Sequence, residues 1–212
     1  MNQPWAFAMI GIGQFIVAIK LALVASSIHQ NIGWMAAIIS AGLGFDNSVL
    51  AFGQSLLAKQ KLLAISRVRY LLHSLVTPLL LPLAFYTAQL GGMQLSTNIN
   101  ILTWLVSGAW IVAAWNFGYC RLELEVVQDG TLVRHHNKSR SGQPWLRLML
   151  VGVVVVILVL GSISPSVTTK TLMLIGGSGM LIGAIASRKM GLYAANLGEL
   201  ILMASLTFAL LQ

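Results

Sequence analysis

Long apolar stretches recur along the whole sequence, and they restrict the possible fold more than any other feature. Each stretch has about 20 residues, the length that an α-helix needs to cross the hydrocarbon core of a bilayer. Because lipid cannot pair with backbone polar groups, such stretches must form helices that pack together as a bundle. The sequence predicts seven spans, over residues 5–26, 33–58, 70–90, 99–119, 147–163, 170–187 and 190–211.

The composition agrees with an all-α, polytopic membrane protein that forms a single transmembrane domain. The chain has 212 residues, of which 57% are hydrophobic and only 8% are charged, whereas about 25% of a typical soluble domain is charged. The net charge of +8 would suggest nucleic-acid binding in a soluble protein. Here the basic residues lie in short loops between apolar stretches, so we expect membrane lipids as partners and no nucleic acid.

The basic residues also predict the orientation of the bundle. They are concentrated in the second, fourth and sixth loops, which must therefore face the same side of the membrane. The positive-inside rule then places the N-terminus in the cytoplasm and the C-terminus outside, as in a bacterial-type inner membrane or its equivalent. The basic residues concerned are Lys59, Lys61, Arg67, Arg69, Arg121, Arg134, Lys138, Arg140, Arg147, Arg188 and Lys189.

The longest loop, residues 120–145, has the pattern of a small β-hairpin at the cytoplasmic surface. Apolar Leu122, Leu124 and Val126 alternate with acidic residues, and Asp129-Gly130 is a typical turn dipeptide. The segment from His135 to Arg140 is basic and is expected to be flexible, held near the membrane by anionic headgroups. Its adjacent histidines do not provide enough ligands for a metal site, and the sequence identifies no cofactor.

Three titratable side chains, Asp46, His73 and Glu199, fall inside predicted spans. Such groups are costly in a bilayer and usually face the bundle interior, where they pair or line a pathway. Their positions along the spans predict a cytoplasm-facing polar pocket between the second, third and seventh helices. We expect these three residues to be catalytic, and the neighbouring polar residues to bind substrate: Arg69, Asn47, Tyr70, Thr77, Asn116 and Asn196.

Two structural interpretations stand beside this functional one. The acidic groups would also be stable in an ion pair with Lys20, Arg69 or His73. Small residues at a spacing of four, Gly179 with Gly183 in the sixth span and Ala194 with Gly198 in the seventh, favour close helix contacts. Those contacts would join the last two spans, a second protomer or the subunits of a larger membrane complex.

The order of polar residues resembles the lysoplasmalogenase family of membrane enzymes, which hydrolyse the vinyl-ether bond of lysoplasmalogens. Its members carry a Lys in an early helix, a Gly-Asp in a later one, then a His, and a polar residue near the end of the chain. The matching positions are Lys20, Asp46, His73 and the segment Leu192–Leu206 around Glu199. Phe45 precedes Asp46 where the family has glycine, and Glu199 stands where a histidine is expected.

Three functions are therefore open at this point. A lipid hydrolase would use the carboxyl groups as acid and base, with Arg69 holding an anionic headgroup. A small proton-coupled transporter would use the same carboxyl groups as its coupling site. A non-catalytic subunit of a larger complex, associated with a pigment or another cofactor through His73, would use the polar residues only to hold helices together.

Overall fold

The computed structural model describes residues 3–26, 30–139 and 143–212. Over these residues the chain forms nine α-helices and one two-stranded antiparallel sheet. The helices are α1 (Gln3–Val24), α2 (Gln30–Ala51), α3 (Gly53–Ala58), α4 (Leu62–Val76), α5 (Leu80–Leu90), α6 (Thr97–Ala113), α7 (Gln143–Ile163), α8 (Val167–Met190) and α9 (Leu192–Leu210), and the strands are β1 (Leu124–Asp129) and β2 (Leu132–Asn137).

Six helical segments of the described chain are long and apolar enough to cross a membrane, which agrees with an integral membrane protein built as a helical bundle. The apolar part of α7, Leu148–Ile163, is shorter than these six. Seven crossings and a cytoplasmic N-terminus therefore stay predictions. The six segments are Gln3–Val24, Asn31–Ala51, Leu62–Leu90, Thr97–Arg121, Val167–Met190 and Leu192–Leu210.

The helices around the second loop differ in extent from the predicted spans. The second span was expected to continue to residue 58, but α2 ends at Ala51 and the short helix α3 follows it. The third span was expected to begin at residue 70, but α4 begins eight residues earlier, at Leu62. Basic side chains are good helix formers, so Arg67 and Arg69 extend the helix beyond its apolar part instead of ending it.

A proline-containing turn joins α4 to α5 within one continuous segment. Pro78 has no backbone N–H, so the α-helical hydrogen bonds are replaced by a single 3₁₀ turn over Thr77–Leu79. The carbonyl oxygen of Pro78 accepts a hydrogen bond from the Ser107 hydroxyl of α6 at 3.1 Å. A polar side chain from a neighbouring helix thus pairs a backbone group at this break, as lipid-embedded helices require.

The small residues of α8 and α9 are used for a close contact between these two helices. A Cβ atom on Gly198 would lie 2.8 Å from the carbonyl oxygen of Gly179. A Cβ atom on Gly183 would lie 3.1 Å from the Cα atom of Gly198. The sequence left open whether these residues join the last two spans, a second protomer or the subunits of a larger complex. The structure shows the first of these contacts, between α8 and α9.

Replacement of Gly198 by alanine is expected to destabilise the protein by about 1–3 kcal/mol, because the added methyl group must push the α8 backbone away. Gly108 on α6 is the matched control, since none of the described residues lies within 4 Å of an added Cβ there. Gly108→Ala should be neutral or slightly stabilising, because alanine favours helix more than glycine does. Thermal unfolding in detergent compares the two, and equal effects would contradict the packing described here.

The hairpin predicted in the longest loop is present, and one of its strands is packed into the end of the bundle. β1 and β2 pair antiparallel with Asp129 opposite Leu132, so Gly130 and Thr131 form the two-residue turn. Gly130 has a φ of +60°, which suits glycine at the first turn position. Leu132 packs with Phe7 and Leu50.

The prediction that the chain is flexible from His135 onwards was wrong for its first residues. His135 is buried within β2. Its neighbour Val133 packs with Val49 and Leu62, and the strand passes so close over Gly53 that a Cβ atom there would collide with the Val133 carbonyl. Leu132 and Val133 both pack against α2, but Leu132 also contacts α1 and Val133 also contacts α4, so this strand is held on both faces. Arg140 lies outside the described residues.

Candidate functional site

A shielded ion pair joins the second and third predicted spans. Arg69 Nε of α4 lies 2.8 Å from Asp46 Oδ1 of α2, and the two side chains are only 9% and 14% exposed. The sequence left Lys20, Arg69 and His73 as alternative partners of the acidic groups. In the structure Asp46 pairs with Arg69. A second nitrogen of this guanidinium, Nη1, is buried without a hydrogen-bond partner among the described residues.

A pair of asparagines next to the ion pair joins α2 to α9. The amide of Asn196 donates to Asn47 Oδ1 at 2.9 Å, and the Asn47 amide donates to the carbonyl oxygen of Leu43 at 2.8 Å. Both side chains are buried. Because Asn196 precedes Glu199 by three residues, this bond fixes the helix face that carries Glu199. These asparagines have a structural contact with each other and do not stand free for a substrate.

Glu199 lines a small apolar cavity in the middle of the bundle. The cavity has a volume of about 10 Å³ and lies between α2, the α4–α5 segment, α7, α8 and α9. Within the described chain, Glu199 forms neither an ion pair nor a side-chain hydrogen bond. The Thr77 hydroxyl lines the same cavity and is likewise buried without a partner among those residues.

His73 belongs to the same group of residues. The charges of Asp46 and Arg69 act on both His73 and Glu199. The structure thus brings together the three side chains for which the sequence predicts catalysis. The cavity beside Glu199 does not have the polar character predicted for the pocket, because it is lined almost entirely by apolar side chains: Ile39, Leu43, Val76, Leu80, Leu150, Val153, Val154, Met180 and Leu202.

Tyr70 faces the hairpin rather than the cavity. Its hydroxyl donates to the carbonyl oxygen of His135 at 3.3 Å, and the Arg69 guanidinium carbon lies 4.8 Å from the centre of its ring. Ser66, one turn earlier on α4, lies 3.1 Å from Nδ1 of His135. The polar side chains of α4 therefore bind two different partners, since Arg69 binds the carboxylate of α2 while Ser66 and Tyr70 bind β2.

Two residues singled out in the sequence lie apart from the cluster. Asn116 is exposed and donates to the carbonyl oxygen of Val112 in α6 at 2.9 Å, and its role in substrate binding stays a prediction. Lys20, which matches the lysine of the resembled family, is exposed on α1, with its Nζ 5.7 Å from the centre of the Phe208 ring. Both side chains point outward because their helices present only part of their surface to the bundle.

Two buried polar contacts were not predicted from the sequence. The Ser40 hydroxyl of α2 lies 2.8 Å from Gln14 Oε1 and 2.9 Å from the Gln14 carbonyl of α1. Gln14 interrupts an apolar span, and that interruption was the signal that could have identified it. The contact between His135 and Ser66 carried no comparable signal, because the two residues are 69 positions apart.

Burial lowers the pKa of His135 from its ordinary value of 6.5, and the positive charge of Arg69 lowers it further. A backbone hydrogen bond with Leu62 acts in the opposite direction but is the weaker influence. The folded hairpin therefore favours the neutral ring. When the hairpin is undocked, His135 has its ordinary pKa and binds a proton below about pH 6.5, whereas the docked ring stays neutral to a lower pH. Docking is therefore most stable above about pH 6.5 and weakens as the pH falls.

We expect hydrogen exchange of the β2 amides to accelerate, beyond the intrinsic effect of pH, between about pH 7 and about pH 5. His135→Gln should remove this pH dependence, because its side chain does not titrate. His136→Gln is the control, since His136 is exposed on the same strand. A pH response that survives His135→Gln would contradict the assignment.

The fold and the site together define the class of this chain as an integral membrane protein with a helical bundle and a buried cluster of ionisable side chains. No protein family matches its sequence, and no curated protein matches it either. Among the described residues, no three histidine, cysteine or acidic side chains are placed to hold a metal ion.

Proposed function

We propose that this protein is an intramembrane enzyme that hydrolyses a lipid, with Glu199 as the residue that transfers protons. The observation that carries the proposal is the position of Glu199, which lines an apolar cavity beside the Thr77 hydroxyl. Neither group has a polar partner within the described chain. The Thr77 hydroxyl is buried without a partner among the described residues, which costs free energy, and the partly buried Glu199 lies beside it. A role in chemistry explains this arrangement.

Asp46 and Glu199 have different roles in this proposal. Asp46 is engaged by Arg69 at 2.8 Å, so it provides charge and position rather than proton transfer. Glu199 has no such cation, so its carboxyl group is the one available to donate and accept a proton. His73 adjoins the pair, where both charges act on it, and it tunes the charge balance around Glu199.

The cavity has room for water, which is the second reactant of a hydrolysis. A volume of about 10 Å³ is close to the smallest space that holds one water molecule, and a buried water needs at least two polar partners. The Thr77 hydroxyl and the Glu199 carboxyl provide two such partners. A water bound between them is held next to the group that would accept its proton.

The aliphatic lining of the cavity favours an alkyl chain as the rest of the substrate. Leu43, Val76 and Met180 lie on three different helices around Glu199. The cavity is too small for a chain in this conformation, so binding requires these helices to separate. Such opening is a common gating step in enzymes with buried sites.

The resemblance to lysoplasmalogenases makes a lysophospholipid with a vinyl-ether bond the first substrate to test. Hydrolysis begins when an acid protonates the outer carbon of the double bond. Water then adds to the resulting cation and returns a proton to the base, after which the hemiacetal breaks into an aldehyde and an alcohol. One carboxyl group and one water molecule are sufficient for these steps.

The test is a turnover assay with the purified protein in nanodiscs. We expect release of a long-chain aldehyde from the vinyl-ether lysophospholipid, and none from the matched lysophospholipid with a saturated ether bond. Release of fatty acid from an acyl lysophospholipid would identify an esterase instead. No turnover of any of the three, together with copurification of stoichiometric partner subunits, would contradict the proposal.

A further inference from the structure

A second cavity lies at the end of the bundle opposite the hairpin. It has a volume of about 270 Å³ and lies between the last turns of α5, the first turns of α6 and the start of α2. It shares no lining residue with the cavity of Glu199. The inference below therefore does not depend on the proposed function.

The polar lining of this cavity consists of the hydroxyl groups of Tyr86 and Thr103 and of two carboxamides, Gln89 and Asn100. The Thr103 hydroxyl donates to the carbonyl oxygen of Ile99 within α6. Gln89 Nε2 of α5 donates to Asn100 Oδ1 of α6 at 3.2 Å. Among the described residues, the Gln89 oxygen and the Asn100 amide have no further hydrogen-bond partner. If the oxygen and nitrogen atoms of both amides were exchanged, the two side chains would still form one hydrogen bond with each other. In either assignment one amide oxygen stays available as an acceptor in the cavity, and one amide nitrogen as a donor.

The remaining lining distinguishes between classes of ligand. No acidic or basic side chain of the described chain lines the cavity, and a buried charge without a partner is strongly unfavourable. Phe85 and Trp104 provide aromatic surface, and Trp104 is half exposed at the outside of the bundle. An occupant that fits is uncharged, has oxygen atoms that can pair with the carboxamides, and extends into the surrounding lipid.

We propose that this cavity binds the uncharged, oxygen-bearing polar end of an amphiphile, with Gln89 and Asn100 as its hydrogen-bonding residues. The volume accommodates a single ring or a glyceryl group rather than a whole lipid. The apolar tail of the ligand lies along the lipid-facing side of α6, which exposes Ile101 and Leu105 next to Trp104. Quinones and monoacylglycerols both have this chemistry.

Calorimetric titration of the protein in nanodiscs tests the proposal with three probes that share a ten-carbon tail. The probes are a decyl benzoquinone, a monoacylglycerol and decylbenzene, which has the ring and tail but no oxygen. We expect one or both oxygen-bearing probes to bind at least about tenfold more tightly than decylbenzene. Binding of the quinone alone or of the glyceride alone identifies the source of the ligand. This comparison uses the unmodified protein and does not depend on whether a variant folds.

The double variant Gln89→Leu, Asn100→Leu should weaken binding by at least about tenfold, since both hydrogen-bonding partners are removed. Asn98→Leu is the matched control, because Asn98 is an exposed asparagine of the same helix that does not line the cavity. Equal binding of all three probes, binding that the double variant retains, or no binding of either oxygen-bearing probe would overturn the proposal.

Discussion

Glu199→Gln is expected to lower lipid turnover by a factor of about 10² to 10⁴, the usual contribution of a general acid or base. Glutamine has nearly the same size and shape, so the cavity with Thr77 is preserved while proton transfer is lost. Since the carboxyl group makes no ion pair within the described chain, its removal leaves no cation unpaired. The protein should therefore fold normally, with an unchanged midpoint of thermal unfolding.

Two comparisons make this result specific to Glu199. Glu125→Gln removes a carboxylate whose side chain is 47% exposed on the hairpin, and turnover should be unaffected. Thr77→Val removes the hydroxyl from the cavity but keeps its volume, and it should reduce turnover by a smaller factor than Glu199→Gln does. If Glu199→Gln retains full turnover of the substrate, Glu199 is not the proton-transferring residue.

Arg69→Met is expected to lower the free energy of unfolding by about 3–5 kcal/mol, because it leaves the Asp46 carboxylate buried without its cation. The methionine side chain fills much of the space of the arginine stem, so packing changes little. Asp46→Asn in the Arg69→Met background should recover a large part of this loss, since the unpaired charge is then gone. Denaturant titration of the purified protein in detergent provides the four free energies of this mutant cycle.

The exposed ion pair of the hairpin is the matched control for this cycle. Lys138 Nζ lies 3.4 Å from Glu125 Oε2, and these side chains are 69% and 47% exposed. Lys138→Met should therefore change the free energy of unfolding by less than about 1 kcal/mol. Equal losses for Arg69→Met and Lys138→Met would mean that the pair of Asp46 and Arg69 is not shielded as the structure shows.

The sequence predicted the class of fold because apolar length is a local property. A stretch of about 20 apolar residues has few alternatives to a membrane-crossing helix. Helix ends were predicted less well, since basic residues such as Arg67 favour helix as readily as apolar ones do and give no signal for where a helix begins. The hairpin was predictable from its alternation and its glycine turn, which are also local.

The candidate site was only partly predictable, because its contacts join residues far apart in the chain. Titratable groups within apolar spans directed attention to Asp46 and Glu199, which are both partly buried, and the charge of Asp46 acts on Glu199. Depth along a helix does not specify which way a side chain points, so the exposure of Asn116 could not be predicted. The bond between Asn47 and Asn196, which are 149 positions apart, depends on how helices rotate against each other.

The packing of β2 against several helices bears on the order in which the chain assembles during synthesis. Leu132 packs with Phe7 and Leu50 from the first part of the chain, and with Leu192 and Tyr193 at the start of α9, the last helix. The ribosome makes α1, α2 and α4 before the hairpin, so most of the surface that receives β2 exists when the strand is completed. Only the contact with Leu192 and Tyr193 has to form later, and α9 therefore packs against a hairpin that can already be docked.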